Sequence, residues 1–333
     1  MVSSDLRRRS LLKALAAFAG VVSVGRRVSA AEAASFPSRA VRLVVPYSVG
    51  VGPDVVARSV AERLALQWSQ PVIVDNKPGA SGIVAFSEVR HALPDGHTLF
   101  LADTATLVVN SLVHGALPYD PVRDLVPLTL LFRATFVLWV GAANRFHGIG
   151  ELLAAARAAP GSVSYATLGN GHASHVAIET LARAAGVRML HVPFKDAGAM
   201  LAAVVAGEVD LTAIGVNTVA GLAASGRLRP LAVAATTRLA SYPWIPTLGE
   251  AGAPPVEMHP WAALVAVAGT PAATLAKLQR DIVAALETAE VRSRADQAGF
   301  EITPSTPQAL RERMRADLAL YAPLIREGRI AQM

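Results

Sequence analysis

Apolar and polar positions follow two different periods along this chain. Short apolar runs, such as Val41–Val45, are followed by longer segments in which apolar residues recur every three or four positions, such as Asp54–Gln67. The first pattern predicts buried strands and the second predicts amphipathic helices. Strands that alternate with helices of this length predict βαβ units and a parallel sheet, so we expect an α/β fold.

The same two patterns continue to the C-terminus. Further strands are predicted at Pro71–Val74, His97–Ala102, Phe132–Val140, Val163–Thr167, Met189–Val192, Asp210–Ile214, Leu231–Ala235 and Ala262–Val267. Further helices are predicted at Ile83–Ala92, Gly150–Ala159, Ser174–Ala185, Ala197–Ala206, Pro271–Thr288 and Pro307–Arg326.

The order of these elements predicts two domains. A chain of 333 residues is long enough for about two domains. Two βαβ sets are joined near Phe132–Val140 and again near Pro260–Val267, so we expect the second domain to be inserted into the first. One lobe then comprises residues 36–134 and 262–333, and the other comprises residues 135–261. Two connecting strands would form a hinge that bends without disturbing either core.

Residues 1–30 resemble an export signal. A basic start, RRRSLLK, precedes the apolar stretch Ala14–Val24 and the small residues VSAAEAA. The apolar stretch has 11 residues, whereas a bilayer crossing needs roughly 20. Arg8-Arg9 also resembles a twin-arginine signal. We expect a periplasmic protein, cleaved within Ala30–Ala34; an amphipathic helix of the mature protein stays an alternative.

The charge distribution argues against a nucleic-acid partner. The net charge is +6, but residues 1–30 hold six Lys and Arg against one Asp, which leaves 25 basic and 24 acidic residues in the rest. That remainder has no basic stripe with interleaved aromatic residues, so we expect no nucleic acid. The chain contains no cysteine, which excludes disulfides, thiolate metal sites and a cysteine nucleophile.

Three loops stand out because each follows a predicted strand. They are Pro46–Asp54, Gly169–His175 and Phe194–Asp196. In open α/β sheets, ligands bind at the edge where the strands end. The first two loops also lead into helices, whose first N–H groups have no partner within the helix and therefore attract anions. We predict that these two loops face each other across a cleft.

Other chemistry is poorly supported by these residues. Gly50-Val51-Gly52 and Gly169-Asn170-Gly171 imitate a dinucleotide fingerprint, but Val55 and Ser174 occupy the place of its third glycine. His172 and His175 could share a face as metal ligands do, but we expect capping and loop packing for both. Asp103 is read first as a cap, with a ligand contact or a catalytic acid as alternatives. We expect no cofactor and no metal; a soluble α/β enzyme acting on a carboxylate or nucleotide is the alternative function.

An ordered set of segments gives a more specific indication. The chain contains VRLVVPYSVGVGPDVVARSVAERL, QPVIVDNKPGASG, YATLGNGHASH, HVPFK and WAALVAVAGTP in this order. Over about residues 36–330 it resembles the periplasmic substrate-binding proteins of tripartite tricarboxylate transporters, the Bug-type receptors. The resemblance implies a type II periplasmic-binding-protein fold, with two α/β lobes, a two-strand hinge and a deep cleft. It also implies that the protein is a receptor and not an enzyme. Such a receptor binds a small organic acid and passes it to the membrane permease subunits of its transporter. We expect it to act as a monomer.

The resemblance further implies which residues bind the ligand. Such receptors hold a carboxylate with backbone amides, hydroxyls and water molecules in place of a salt bridge. The matching positions here are Tyr47, Ser48, Val49, Gly50, Val51, Gly52, Asp54, Asp103, Thr104, Thr106, Gly169, Asn170, Gly171, His172, His175, Phe194, Lys195, Asp196, Gly215 and Trp261.

Several of these positions depart from the family pattern. Pro53 removes an N–H donor from the first loop, and His172 stands where a small hydroxyl residue is common. Asp196 adds a negative charge, and Ile214-Gly215 replaces a frequent Asp-Asn pair. We therefore predict a ligand with one carboxylate and a larger apolar, aromatic or amide-bearing body.

Overall fold

A computed structural model describes residues 36–332 of the chain. The predicted export signal lies outside these residues. From Arg39 onward, the described residues form one compact unit. Within the described residues, no helix combines the length and the apolar character that a membrane crossing requires.

The first of two sheets contains six strands. Its order is β11-β4-β10-β3-β1-β2. β1 pairs in parallel with β2 and β3, whereas β10 is antiparallel to β3 and β4, and β11 is antiparallel to β4. The strands are β1 (Val41–Val45), β2 (Val72–Asn76), β3 (Thr98–Asp103), β4 (Leu125–Ala134), β10 (Trp261–Val267) and β11 (Phe300–Ile302).

The second sheet contains five strands in the order β7-β6-β8-β5-β9. β6 is parallel to β7 and β8, and β5 is antiparallel to β8 and β9. The strands are β5 (Val137–Gly141), β6 (Ser164–Thr167), β7 (Leu190–Pro193), β8 (Leu211–Ile214) and β9 (Leu228–Val233). All five residues of β5 are buried, because Leu138 and Val140 pack into one apolar cluster while Val137 and Trp139 pack into another. This sheet is therefore covered on both faces, as side chains that alternate along a strand require.

Ten α-helices surround the sheets in the described part of the chain. They are α1 (Gly52–Trp68), α2 (Ile83–Val89), α3 (Asn110–Val113), α4 (Ile149–Ala158), α5 (Ala173–Ala184), α6 (Ala197–Ala206), α7 (Val216–Ala224), α8 (Ala272–Leu286), α9 (Ala289–Ala298) and α10 (Pro307–Arg326).

Two segments connect the sheets and run side by side. β4 passes into β5 through Thr135-Phe136, and the chain returns through residues 258–260 into β10. Ala134 N donates to Pro260 O at 2.8 Å, and Phe136 N donates to Met258 O at 3.3 Å. The two connections therefore form a short hydrogen-bonded ribbon between the sheets. The chain passes from one sheet to the other close to the predicted lobe boundaries. The exact boundaries of the lobes stay a prediction.

Three expectations about local structure were wrong or incomplete. Phe132–Val140 is not one strand, because the apolar run continues across the connection between β4 and β5 and hides the break. The predicted parallel sheets are mixed, since β4, β5, β10 and β11 run antiparallel to neighbours. The helices α3, α7 and α9 and the short strand β11 were not predicted. α7 is rich in Gly, Asn, Val and Thr, which have low helix propensity.

Candidate functional site

A cavity of about 800 Å³ opens where strands of both sheets end. Its volume lies in the range of about 300–1,000 Å³ that is typical of ligand pockets. The first sheet and its helices contribute Pro46, Tyr47, Gly50–Pro53, Gly79–Gly82, Asp103–Ala105, Phe132, Trp261, Arg294 and Phe300. The second sheet and its helices contribute Phe136, Leu168, His172–Ser174, Met200, Ile214, Asn217 and Thr218.

The first predicted loop is held from behind by a buried carboxylate. Asp54 accepts hydrogen bonds from Gly50 N at 2.8 Å, Arg58 Nε at 2.9 Å and Asn76 Nδ2 at 2.7 Å. Burial alone would raise the pKa of Asp54, but these hydrogen bonds outweigh it and bring the pKa below its usual value. Asn76 Nδ2 also donates to Tyr47 O at 3.0 Å. Asp54 therefore fixes the loop and does not line the cavity, which differs from its predicted place.

A second carboxylate does line the cavity. Asp103 Oδ2 accepts from Tyr47 Oη at 2.5 Å, and its Oδ1 accepts from Thr106 N at 2.8 Å and Thr106 Oγ1 at 2.9 Å. Burial and the Asp103 charge hold the pKa of Tyr47 well above its usual value, so the phenol remains a donor. Asp103 thus caps the turn that follows β3 and also gives this wall a negative charge. Thr106 lies behind it and is buried.

His172 begins α5 and presents a neutral donor. Its Nδ1 accepts from Ser174 N at 3.2 Å, the arrangement of an N-cap. Burial lowers the pKa of His172 to about 4, an effect that the nearby Asp103 charge partly offsets. Because Nδ1 accepts, the proton of the neutral ring is assigned to Nε2. This Nε2–H has no protein hydrogen-bond partner within residues 36–332, so it is available to a ligand.

His175 supports the second loop from below the surface. Its side chain is buried, and Nδ1 accepts from Gly171 N at 3.1 Å. The ring stacks on His191, with centroids 3.7 Å apart. Burial, with the neighbouring His191 and His172, lowers the pKa of His175 to about 3. His175 therefore does not line the cavity, and the N–H of Gly171 is used within the protein.

The two histidines make hydrogen bonds at the start of α5. His172 and His175 both use Nδ1 for hydrogen bonds within their own loop and helix. In the described part of the chain, no group of three or more potential metal ligands comes together. What the histidines share is a role in shaping the N-terminus of α5.

The loop Gly79–Gly82 lines the cavity, although the sequence-based site did not include it. Gly79, Ala80, Ser81 and Gly82 have φ angles of +133°, +45°, +49° and +86°. Such strain in residues other than glycine clusters at functional sites. A Cβ on Gly82 would lie 2.1 Å from Thr106 Cγ2, so only glycine fits. The sequence signal was present, since this glycine- and serine-bearing loop also connects a strand to a helix.

Aromatic side chains and one cation complete the walls. Phe132 and Phe300 stack with centroids 4.2 Å apart, and Trp261 is buried with Nε1 donating to Asp317 Oδ2 at 2.6 Å. Arg294 is the one Lys or Arg among the described residues of the lining. Its side chain is 49% exposed, so it meets solvent as well as the cavity. Apart from Asp103 and Arg294, the walls are largely neutral.

The predicted residues thus fall into two groups. Those that line the cavity are Tyr47, Gly50, Val51, Gly52, Asp103, Thr104, His172 and Trp261. Those that lie outside its lining are Ser48, Val49, Asp54, Thr106, Gly169, Asn170, Gly171, His175, Phe194, Lys195, Asp196 and Gly215.

Local packing explains why the loop after β7 lies outside the lining. Asp196 caps α6, since its Oδ1 accepts from Ala199 N at 2.9 Å. Phe194 packs against the core of the second sheet, and Lys195 is exposed. The neighbouring positions Ala197 and Met200 reach the cavity instead.

A comparison with known protein families identifies the family of this chain. The model for the tripartite tricarboxylate transporter family receptor matches residues 56–330. The chain belongs to this receptor family. Members of the family are periplasmic solute-binding proteins, so the chain is a solute-binding receptor, and the predicted family is confirmed.

Individual relatives agree with this membership. A UPF0065 protein from the tcbD-tcbE intergenic region of Pseudomonas sp. strain P51 is 32% identical over 89% of this chain and 88% of the relative. The Rpa4515 protein of R. palustris, solved with adipate, is 29% identical with a TM-score of 0.79 over 90% of this chain and 100% of that one. MatC from Rhodopseudomonas palustris, solved with malate, is 29% identical with a TM-score of 0.75 over 87% and 99%. These structures confirm the predicted periplasmic-binding-protein fold.

Proposed function

We propose that this receptor captures a small organic carboxylate in the cavity between its two sheets and delivers it to the membrane permease of a tripartite tricarboxylate-type transporter. One observation carries the proposal. The N-termini of α1 and α5 come from different sheets and both line the same cavity. A carboxylate between them would meet the positive ends of two helix dipoles.

The available interactions are strong enough for micromolar binding. A favourably placed helix N-terminus contributes about 0.3–1 kcal/mol, rising to about 2 kcal/mol when partly buried. A hydrogen bond to a charged group contributes about 1.5–3 kcal/mol. Two helix ends and several such bonds, from backbone N–H groups and the Nε2–H of His172, can reach the roughly −8 kcal/mol of micromolar affinity after the entropic cost of association.

The lining favours a ligand with one carboxylate and a larger body. Asp103 would repel a second carboxylate placed against its wall, whereas an amide or hydroxyl donor could approach it. Phe132, Phe136 and Phe300 offer apolar surface to an aromatic or alkyl group. The relatives that bind adipate and malate take dicarboxylates, so the charge of Asp103 is the feature that we expect to distinguish this receptor.

The alternative, an enzyme, finds little support in the cavity. Ser174 Oγ lies 2.8 Å from His172 Nδ1, which resembles a nucleophile beside a base. However, that nitrogen also accepts from the N–H of Ser174, and the Ser174 side chain is buried. The contact therefore serves the N-cap of α5, and we propose that the receptor does not catalyse a reaction.

Export of the receptor is part of the proposal. Residues 1–30 carry the predicted signal, which would place the mature chain in the periplasm, where it would bind its ligand as a monomer. Cell fractionation of the native protein, with N-terminal sequencing of the mature form, would test this. Recovery in the cytoplasm with the N-terminus intact would contradict it.

Ligand binding is tested by thermal shift and titration calorimetry against mono-, di- and tricarboxylates with matched aromatic, alkyl and amide bodies. A ligand at about 100 times its Kd should stabilise the fold by about 2.7 kcal/mol. We expect the tightest binding for a monocarboxylate with a larger body and no turnover. Tightest binding to citrate would refute the ligand class, and a panel in which no carboxylate stabilises the protein would refute the proposed function.

A further inference from the structure

A second cavity of about 560 Å³ lies apart from the cleft. Its walls come from the segment that follows β3, the loop before β4, the start of β4 and one face of α10. Within residues 36–332 it shares no lining residue with the first cavity. Its lining is mainly apolar and includes Leu107, Leu117, Val122, Met314 and Leu318. The receptor fold does not explain this cavity by itself, since the proposed ligand binds elsewhere.

Two apolar side chains of this cavity are left open to solvent. Val122 is 78% exposed and Leu318 is 42% exposed. They belong to different elements, the loop before β4 and helix α10, and they line the same cavity. A concave apolar surface of this kind favours an apolar group, because covering it removes both walls from water at once.

Two arginines that line the same cavity have no ion-pair partner among residues 36–332. Arg311 and Arg315 stand four residues apart on α10, so they share one face of the helix. Neither has a carboxylate within 4 Å in the described part of the chain, whereas Arg313 between them pairs with Asp317 at 2.9 Å. Like charges at this spacing repel each other. An anion bound between them would remove the repulsion and accept hydrogen bonds from both guanidinium groups.

The acidic residue of the lining is hydrogen-bonded through one oxygen within its own loop. Asp120 Oδ1 accepts from Val122 N at 2.8 Å and Arg123 N at 3.0 Å. In the described part of the chain, Asp120 forms no ion pair within 4 Å with Arg311 or Arg315. The cavity combines an apolar floor with a cationic side.

The back wall is held in place by hydrogen bonds within the protein. Tyr119 is buried, and its Oη donates to Thr106 O at 2.8 Å and accepts from Asn110 Nδ2 at 3.1 Å. Asn110 Nδ2 also donates to Ser81 O at 3.0 Å, which ties the wall to the loop that lines the first cavity. A preformed wall spares a ligand the cost of ordering the site.

We propose that this second cavity binds an amphipathic monoanion. Its carboxylate or sulfonate group would lie between Arg311 and Arg315, and its alkyl or aryl body would cover Leu318 and Val122. A volume of about 560 Å³ suits a small molecule.

The test uses the full chain and the probe 8-anilinonaphthalene-1-sulfonate, with octanoate as the competitor. The probe is fluorescent in an apolar site and carries one sulfonate. We expect saturable binding at one site of this kind and displacement by octanoate. L318E should abolish this binding, and R311Q/R315Q should weaken it by about tenfold or more, which is the loss of about 1.4 kcal/mol.

Matched variants separate this site from others on the protein. L320E changes a residue of the same helix that is 44% exposed, and R292Q/R326Q removes two exposed arginines with no ion-pair partner within residues 36–332. Both controls should bind the probe as the unmodified protein does, and circular dichroism melting should show that all variants fold. Equal binding in every variant, or a wild-type protein that binds neither probe nor octanoate, would overturn the proposal. The second result would instead favour an acidic protein as the partner of this surface.

Discussion

Acid should destabilise this receptor through histidines that the fold keeps neutral. His175 is the clearest case, because its side chain is 1% exposed and its Nδ1 accepts the N–H of Gly171 at 3.1 Å. Burial, and then the neighbouring His191 and His172, lowers its pKa to about 3. Protonation would remove the acceptor that fixes the second loop.

The sign and size follow from the difference between the folded and unfolded chains. The folded pKa lies below the ordinary value of about 6.5, so between these values the unfolded chain binds a proton that the folded chain refuses. Stability is complete above about pH 6.5 and falls as the pH drops towards 3. At pH 5, about 1.5 pH units below the unfolded pKa, His175 costs about 2 kcal/mol, at about 1.36 kcal/mol per unit.

Other titratable groups also make the stability depend on pH, either in the same direction as His175 or in a different pH range. His172, with a pKa of about 4, adds a similar loss at pH 5, and burial also lowers the pKa values of His191 and His259. Asp54 has a lowered pKa and loses its contribution only below about pH 4, where aspartate protonates in the unfolded chain. A difference between variants at pH 5 therefore isolates a single histidine.

The assay is urea unfolding at about pH 8 and about pH 5, for the wild-type protein and His175→Asn. The Asn carbonyl oxygen can accept the Gly171 N–H but does not titrate. We expect the variant to be less stable at pH 8, since it loses the stack on His191, and to lose about 2 kcal/mol less than wild type on acidification. His91→Asn serves as the control, because His91 is exposed. This variant should lose as much unfolding free energy as the wild-type protein does between about pH 8 and about pH 5. If His175→Asn loses as much stability as wild type, the reasoning about its buried neutral ring is wrong.

Two further predictions address the cleft. His172→Leu should weaken carboxylate binding by about tenfold, or about 1.4 kcal/mol. Lys195 is exposed and lies outside the lining, so Lys195→Ala should change binding by less than about twofold. Calorimetry with the tightest-binding carboxylate checks both variants, and the opposite ranking would indicate that a salt bridge holds the ligand. Gly82→Ala should cost more than about 2 kcal/mol in urea unfolding, because its Cβ would lie 2.1 Å from Thr106 Cγ2 at a φ of +86°. Gly161→Ala, at a φ of +83° with nothing within 4 Å, should cost only about 1 kcal/mol; equal losses would mean that the left-handed backbone alone sets the cost.

Hydrophobic periodicity was sufficient to predict most of the elements. Val41–Val45, Ala197–Ala206 and Pro307–Arg326 have the predicted bounds, because each has a clear apolar pattern and a loop or cap at its ends. The pattern failed at Phe132–Val140, where the apolar run continues through the connection between two sheets. It also missed α9, whose mean apolar content is low because only one side packs against the protein.

The site was predicted at the level of loops but not of side chains. A sequence places Asp54 and His175 in ligand-facing loops, yet it does not show on which side of the backbone they lie. Both point inward, where they accept N–H groups from Gly50 and Gly171. The same limit hid Gly79–Gly82, because the positive φ angles of Ala80 and Ser81 are not evident from their residue types.

These inward hydrogen bonds shift the expected balance of anion binding between the two walls. On the first wall, Gly50 N is used by Asp54, Pro53 has no N–H, and the Asp54 charge opposes an anion at the start of α1. On the second wall, α5 is capped by a neutral histidine that lines the cavity and whose Nε2–H has no hydrogen-bond partner within residues 36–332. A carboxylate should therefore bind closer to α5 than to α1, with its body towards Trp261 and the phenylalanines. His172 thus offers a donor on the wall opposite Pro53, whose ring leaves the first loop one donor short.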